Sequence, residues 1–192
     1  MRSVLSLCDH SGRWSAPYRE AGYIVHQVDL KAGQDVRLIE WIDAPIHGIL
    51  AAPPCTAFAV SGAQYWPAKD RSGGTLHAIS LVDACLRAVA IYRPQWWALE
   101  NPVGRLRRWI GPPAFTFNPC DFGGYGTEAD AYTKKTLLWG QFTPPPAKPV
   151  PPIRACSQGS WIQTLGGKSE RTKELRSMTP EGFARAFFIA NP

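Results

Sequence analysis

No CxxC pair occurs in the 192 residues, and the five cysteines (Cys8, Cys55, Cys85, Cys120, Cys156) show no repeated spacing. Neither a zinc site nor a disulfide framework is therefore expected, and such cysteine use suits a reducing, cytoplasmic compartment. His10, His26, His47 and His77 lack paired spacing, so no metal site is expected. The N-terminus has no cationic segment followed by an apolar stretch, so no secretory leader is expected. The longest apolar run, inside 75–92, is broken by Asp83 and Arg87, which argues against a membrane-spanning helix. No internal repeat is found. Acidic residues are the minority, 15 against 21 Lys and Arg, for a net charge of +6 and a pI of about 9.2. Arg105, Arg107 and Arg108 lie close together, and 154–192 holds Arg154, Lys168, Arg171, Lys173, Arg176 and Arg185 against three glutamates. Such clusters can neutralise phosphates or simply form a solvated face. The eight tryptophans are expected mainly in packing roles.

What is present reads as strands alternating with helices. Ser3 to Leu7 has strand length and leads into the loop Asp9-His10-Ser11-Gly12. Ser15 to Ala21 reads as a helix stopped by Gly22, and Tyr23 to Val28 as a second strand closed by Asp29. Asp35 is placed to cap a short helix over Val36 to Ile42. Gly48 to Ala52 is a third strand, and apolar residues at near-3.6 spacing over 75–92 give the longest helix, ended by Pro94. Trp96 to Leu99 is a fourth strand running into Glu100-Asn101-Pro102.

That alternation argues for an α/β fold with a doubly wound, mostly parallel sheet. Asp9, Asp29, Cys55 and Glu100 each follow a strand, where such sheets bind ligands. Beyond residue 112 the texture changes. Phe115 to Phe117 and Thr136 to Trp139 read as β segments flanking the glycine-bearing stretch Phe122 to Thr127. The segment 143–152 (TPPPAKPVPP) contains six prolines and must be extended. Residues 157–175 read as a polar loop, and Thr179-Pro180-Glu181 as the opening of a last helix with proline at its first position. The organisation expected is a catalytic domain over 1–142, a Pro-rich strap and polar loop over 143–178, and a C-terminal helix over 179–192 that packs back on it.

Two residues stand out chemically. Pro53-Pro54-Cys55 would project a thiol from a strand end into the ligand crevice, although a lone cysteine is also a common buried packing residue. Glu100 follows the apolar Trp96-Trp97-Ala98-Leu99, where partial desolvation would suit a proton donor; capping the next helix is the alternative. A thiol and an acid at neighbouring strand ends can form a covalent-catalysis pair.

The motif order resembles the DNA cytosine-5 methyltransferases, in particular short phage-type members. Gly48 to Gly62 (GILAAPPCTAFAVSG) is similar to the family's PPCQxFSxxG catalytic loop, and Ala98 to Gly104 (ALENPVG) to its ENV motif. Leu5 to Gly12, with Trp14 and Glu20-Ala21-Gly22-Tyr23, resembles the first cofactor motif and the helix behind it. Asp29 matches the acidic residue for the ribose hydroxyls, and Gly33-Gln34-Asp35-Val36 a GDI-like motif whose aspartate meets the adenine. Tyr132-Thr133-Lys134-Lys135-Thr136 falls where the family carries QxRxR. The likeness spans about residues 3–140. The chain departs from the family at Thr56 and Ala59 in the catalytic loop, at Pro102 in ENV, at Thr136 in QxRxR and in the reduced glycine element 9–12. It also lacks the family's large target-recognition region, for which 141–178 is a small substitute.

The resemblance implies the Rossmann-like fold of S-adenosylmethionine-dependent methyltransferases. It implies cofactor contacts by Leu7, Cys8, Asp9, Ser11, Gly12, Trp14, Asp29, Leu30, Asp35, Val36 and Pro53, and substrate contacts by Pro54, Thr56, Phe58, Ser61, Asn101 and Arg105. Cys55 would be the nucleophile at cytosine C6 and Glu100 its partner at N3, with Lys134 or Lys135 as the cation for the base's carbonyl. The substrate implied is double-stranded DNA, acted on by a monomer after base flipping. Three other readings stay open: a free nucleotide or single-stranded substrate, a modified transferred group, and a non-catalytic nucleic-acid-binding relic.

Overall fold

A computed structural model describes residues 2–156, 159–160, 162 and 169–192. The chain forms two compact units, one of residues 1–116 and 136–142 and the other of 117–135 and 143–192.

The first unit is built on β1 (Ser3–Leu7), β2 (Ile24–Val28), β3 (Ile46–Ala51), β4 (Trp96–Pro102) and β6 (Thr136–Gln141), with β5 (Phe115–Phe117) as the edge strand. The strand order is β2-β1-β3-β4-β6-β5. β1 pairs in parallel with β2 and β3, and β3 with β4, while β6 runs antiparallel to β4. This is the expected α/β, doubly wound, mostly parallel sheet. Every residue of β1 is buried, as befits a central parallel strand covered on both faces. On one face Leu5, Leu7, Ile49, Ala51 and Leu99 share a core with Val82 and Cys85 of helix α3 (Gly74–Tyr92). On the other, Tyr18 of α1 (Ala16–Glu20) packs on Trp96 with ring centroids 5.2 Å apart. Gly48 makes room for that indole, because a Cβ there would lie 2.0 Å from the Trp96 ring.

Three local expectations shift. The helix expected over 36–42 is a single 3-10 turn, Val36–Leu38, because Ile39 leaves helical conformation at ψ 121°. Trp41 stacks instead on Tyr92 at 5.2 Å, and the Ile42 N–H donates to the Tyr92 hydroxyl at 2.9 Å. β4 extends to Pro102, so Glu100 pairs with Leu138 of β6 rather than standing beyond the strand. α3 has the length and apolar composition of a membrane span, which the interruptions at Asp83 and Arg87 had argued against. In the structure its Ala78, Val82, Cys85 and Ala88 are buried in the core just described.

The second unit packs Phe117, Phe122, Phe183 and Phe187, with Phe117 stacked on Phe183 at 4.0 Å. Over 143–153 the Pro-rich strap forms no helix or strand. The Lys148 and Val150 N–H groups donate to the Asp121 and Cys120 carbonyls, and Ile153 to Ala131. The last helix is Glu181–Ala190, with Pro180 one residue outside its first turn and the buried Asp130 carboxylate accepting from the Gly182 N–H at 2.6 Å. Part of the polar loop is a helix, Glu170–Ser177, capped by the Ser169 hydroxyl. Its sequence, ERTKELRS, has no apolar period to announce it. Residues 157–158, 161 and 163–168 of that loop lie outside the described residues.

Candidate active site at the strand ends

Pairing register brings the chemistry-bearing residues to one edge. Leu7 pairs with Val28 and with Ala51, and Ala51 with Leu99. The next residues (Cys8, Asp29, Ala52 and Glu100) therefore form a row across four adjacent strands, which sit about 4.8 Å apart. Two hydrogen bonds extend the ladder into that row, from Cys8 N to Val28 O at 2.8 Å and from Ala52 N to Leu7 O at 2.9 Å. The winding direction reverses between β1 and β3, and that switch point is where open α/β sheets form a ligand crevice.

The loop after β1 is drawn tight by its own side chains. Cys8 takes φ 58° and Gly12 φ 63°, and the buried Asp9 carboxylate accepts from Ser6, Ser11 and Ser15 at 3.0, 3.1 and 3.3 Å. Gln27 donates to the Asp9 and His10 carbonyls at 2.6 and 3.1 Å. Asp9 thus shapes the loop. Leu7 and Trp14 have no exposed surface and Val36 almost none, so all three side chains are packing residues in this structure. At the end of β2, Asp29 accepts from the Lys31 N–H at 2.8 Å, with His10 Nδ1 at 3.9 Å. Leu30 beside it is 71% exposed. The Asp35 carboxylate is held by Arg37, through the N–H at 2.9 Å and the guanidinium at 2.5–3.1 Å. These charge-assisted bonds keep its pKa down at about 2.

Cys55 occupies the turn after β3. Pro53 is buried, whereas Pro54 and Thr56 are exposed and Cys55 itself is partly exposed. The Cys55 carbonyl accepts from the N–H groups of Phe58 and Ala59 at 2.8 and 2.9 Å, which curls the chain behind the thiol. Asn101, fully buried, donates from Nδ2 to the Pro53 carbonyl at 3.0 Å. Its Oδ1 has no hydrogen-bond partner among the described residues. The segment after the turn runs back along the exit of β4: Ala59 bridges Gly104, Val60 N donates to Val103 O, and Arg105 N donates to Phe58 O, the last two at 2.9 Å. Gly104 is required by that approach, since a Cβ would sit 1.9 Å from the Phe58 carbonyl oxygen. Phe58 is buried and Ser61 lies in the 3-10 segment Val60–Tyr65.

Arg105 was expected to meet substrate. It is 5% exposed, and its Nε donates to the Ala57 carbonyl at 2.9 Å while its Nη atoms grip Asp70 at 2.9 and 2.8 Å. Its donors are spent inside the protein. The residues around it (Trp66, Asp70, Thr75 and Trp109) fall in no motif, so nothing in the sequence singled them out. Lys134 and Lys135 belong to the second unit, where Lys134 Nζ donates to the Arg176 carbonyl at 2.6 Å. Among the described residues no group of three His, Cys, Asp or Glu side chains could hold a metal.

No family model matches the chain, and no curated protein matches it. Among solved structures it is similar to a crystal structure of a proposed DNA modification methyltransferase encoded within an E. coli prophage. The match has 18% identity and a TM-score of 0.49, and it covers 79% of this chain and 53% of that one. The chain thus spans about half the length of that neighbour, and likeness at this level fixes no chemistry. The fold class rests on the sheet order and strand directions above.

Proposed function

We propose that this protein transfers a methyl group from S-adenosylmethionine to carbon 5 of cytosine in DNA, with Cys55 as nucleophile and Glu100 as acid partner. The observation that carries the reading is the strand-end row. It puts Glu100 one residue past the β3–β4 pairing, and the Cys55 turn three residues beyond Ala52 on the neighbouring strand. Covalent activation of a pyrimidine needs a thiol and an acid on one side of a crevice, and these two share a sheet edge.

The cofactor suits the donor set of the row. Asp29 offers a carboxylate at the end of β2, and Gly12 turns the loop after β1 at φ 63°. Asp29, Leu30 and the loop 8–12 would hold the cofactor, whose sulfonium supplies an electrophilic methyl group when bound. On the protein side, the cytosine leaves the stack and the Cys55 thiolate adds to C6. Glu100 donates to N3 and draws off the charge that C6 attack places on the ring, so that C5 becomes nucleophilic. After methylation, loss of the C5 proton to a base and expulsion of the thiolate restore the aromatic ring.

The test is transfer of labelled methyl from S-adenosylmethionine to mixed-sequence duplex DNA, with Cys55→Ala alongside. Label recovered as 5-methylcytosine with wild type and absent with the variant is the expected result. A wild type that binds S-adenosylmethionine but labels no DNA would overturn the substrate assignment. Equal labelling by Cys55→Ala would overturn the nucleophile.

A further inference from the structure

The geometry points to Arg105 as a positioning residue that sets the Cys55 turn, by latching the segment 57–75 to the exit of β4. One guanidinium reaches three pieces of chain. Nε donates to the Ala57 carbonyl within the turn, the two Nη atoms take both oxygens of Asp70 in α2 (Trp66–Arg71), and Nη2 also donates to the Thr75 hydroxyl at 2.8 Å. Thr75, at the start of α3, donates in turn to Asp70 at 2.5 Å. The guanidinium carbon lies over two indoles, 4.8 Å from the Trp66 ring centroid and 5.5 Å from that of Trp109. Trp109 also meets Phe58 edge-on at 5.8 Å.

The arrangement uses properties particular to arginine: a flat cation that stacks on aromatic faces and presents several N–H donors in fixed directions. Lysine, a point charge with rotating donors, cannot serve Ala57, Asp70 and Thr75 together. The Asp70 carboxyl is held below its usual range chiefly by the bonds from Arg105, so the latch is an ion pair at neutral pH. Its Arg105 end is buried and its Asp70 end half-exposed, at 5% and 50%. The turn is held a second time from α2, because Lys69 Nζ, next to Asp70 in sequence, donates to the Thr56 carbonyl thirteen residues upstream. The segment between Cys55 and α3 is therefore tied at the carbonyls of Thr56 and Ala57, the two residues that follow the nucleophile. A turn so placed fixes where the thiol points, and misplacement of about 1 Å can cost about 100-fold in rate.

The bearing on catalysis rests on the methyl-transfer reading, whereas the bearing on the turn does not, and the experiment separates them. Arg105→Lys and Asp70→Asn are compared with wild type by amide hydrogen exchange over 55–60, by mass-spectrometric mapping of iodoacetamide alkylation at Cys55, and by methyl transfer. Faster exchange of the Phe58 and Ala59 amides, a changed Cys55 alkylation rate and a turnover lowered about 100-fold at unchanged cofactor KM are expected in both variants. Should Arg105→Lys fail to fold, Asp70→Asn carries the test, since its site is half-exposed. Wild-type exchange and wild-type alkylation in a folded variant would overturn the proposal. If wild type transfers no methyl group at all, the function fails, and exchange and alkylation still decide the latch.

Discussion

The Asn101 side-chain amide donates to the Pro53 carbonyl oxygen at 3.0 Å across 48 residues of sequence. It ties the residue after Glu100 to the residue two before Cys55, so that the two chemical groups are spaced by one buried hydrogen bond as well as by strand pairing. Asn101 has no exposed surface, and water cannot replace the bond if it is lost.

Asn101→Ala should therefore destabilise the protein by about 1–3 kcal/mol, because the Pro53 carbonyl loses its donor in a buried place. Urea unfolding followed by tryptophan fluorescence measures this. A midpoint equal to wild type would show that the bond contributes nothing.

Glu100→Gln keeps the size of the side chain and removes its acidic proton. With Glu100 as the acid at N3, turnover should fall by about 10²–10⁴-fold, while duplex affinity measured by fluorescence anisotropy changes little. Turnover within twofold of wild type would remove Glu100 from the chemistry.

Gly104→Ala tests the close approach of the β4 exit to the Cys55 turn. A Cβ there would lie 1.9 Å from the Phe58 carbonyl oxygen and 2.7 Å from its carbon. Both neighbours are backbone, so the strands must separate, at a cost of about 1–3 kcal/mol or more. The thermal midpoint should drop, and exchange of the Val60 and Arg105 amides should accelerate with it.

Asp35 supplies an acid-sensitive element. Bonds from Arg37 hold its pKa at about 2 against an ordinary 3.8. Because the folded value is the lower one, the stabilisation is complete above the unfolded pKa and is lost as pH falls from about 4 towards 2. Denaturation midpoints of wild type and Asp35→Asn should differ at pH 6 and converge by about pH 2. A difference that stays constant across that window would separate the stability of the 33–38 turn from the charge of Asp35.

Much of the sheet was legible from local pattern. The strands Ser3–Leu7, Ile24–Val28 and Ile46–Ala51 and the helix Gly74–Tyr92 lie within two residues of where apolar runs and turn residues put them. Those signals are strong because a buried parallel strand must be apolar along its whole length and a helix facing a core must repeat at 3.6 residues. The positions of Asp29 and of the Cys55 turn beyond β2 and β3 were legible for the same reason, whereas Glu100 lies inside β4, because pairing with Leu138 carries that strand on to Pro102.

The segments that escaped sequence reasoning lack such a pattern or are governed by distant partners. Residues 36–42 carry helix signals, yet Tyr92 claims Trp41 and the Ile42 N–H from 50 residues away. The helix Glu170–Ser177 carries Leu175 as its one apolar residue and so shows no apolar face in sequence. Arg105 reads as a surface cation within a basic run, because composition cannot show that Asp70, Thr75 and two tryptophans will surround it. The sequence by itself determined which residue types stand at the strand ends and in what order, since these follow from periods of two and 3.6 along the chain. Tertiary structure alone decided which of their donors and acceptors are satisfied within the protein. A side chain's donors and acceptors are assigned by whatever the fold brings within 3 Å, and for Asp9, Asp35 and Arg105 that was the protein itself.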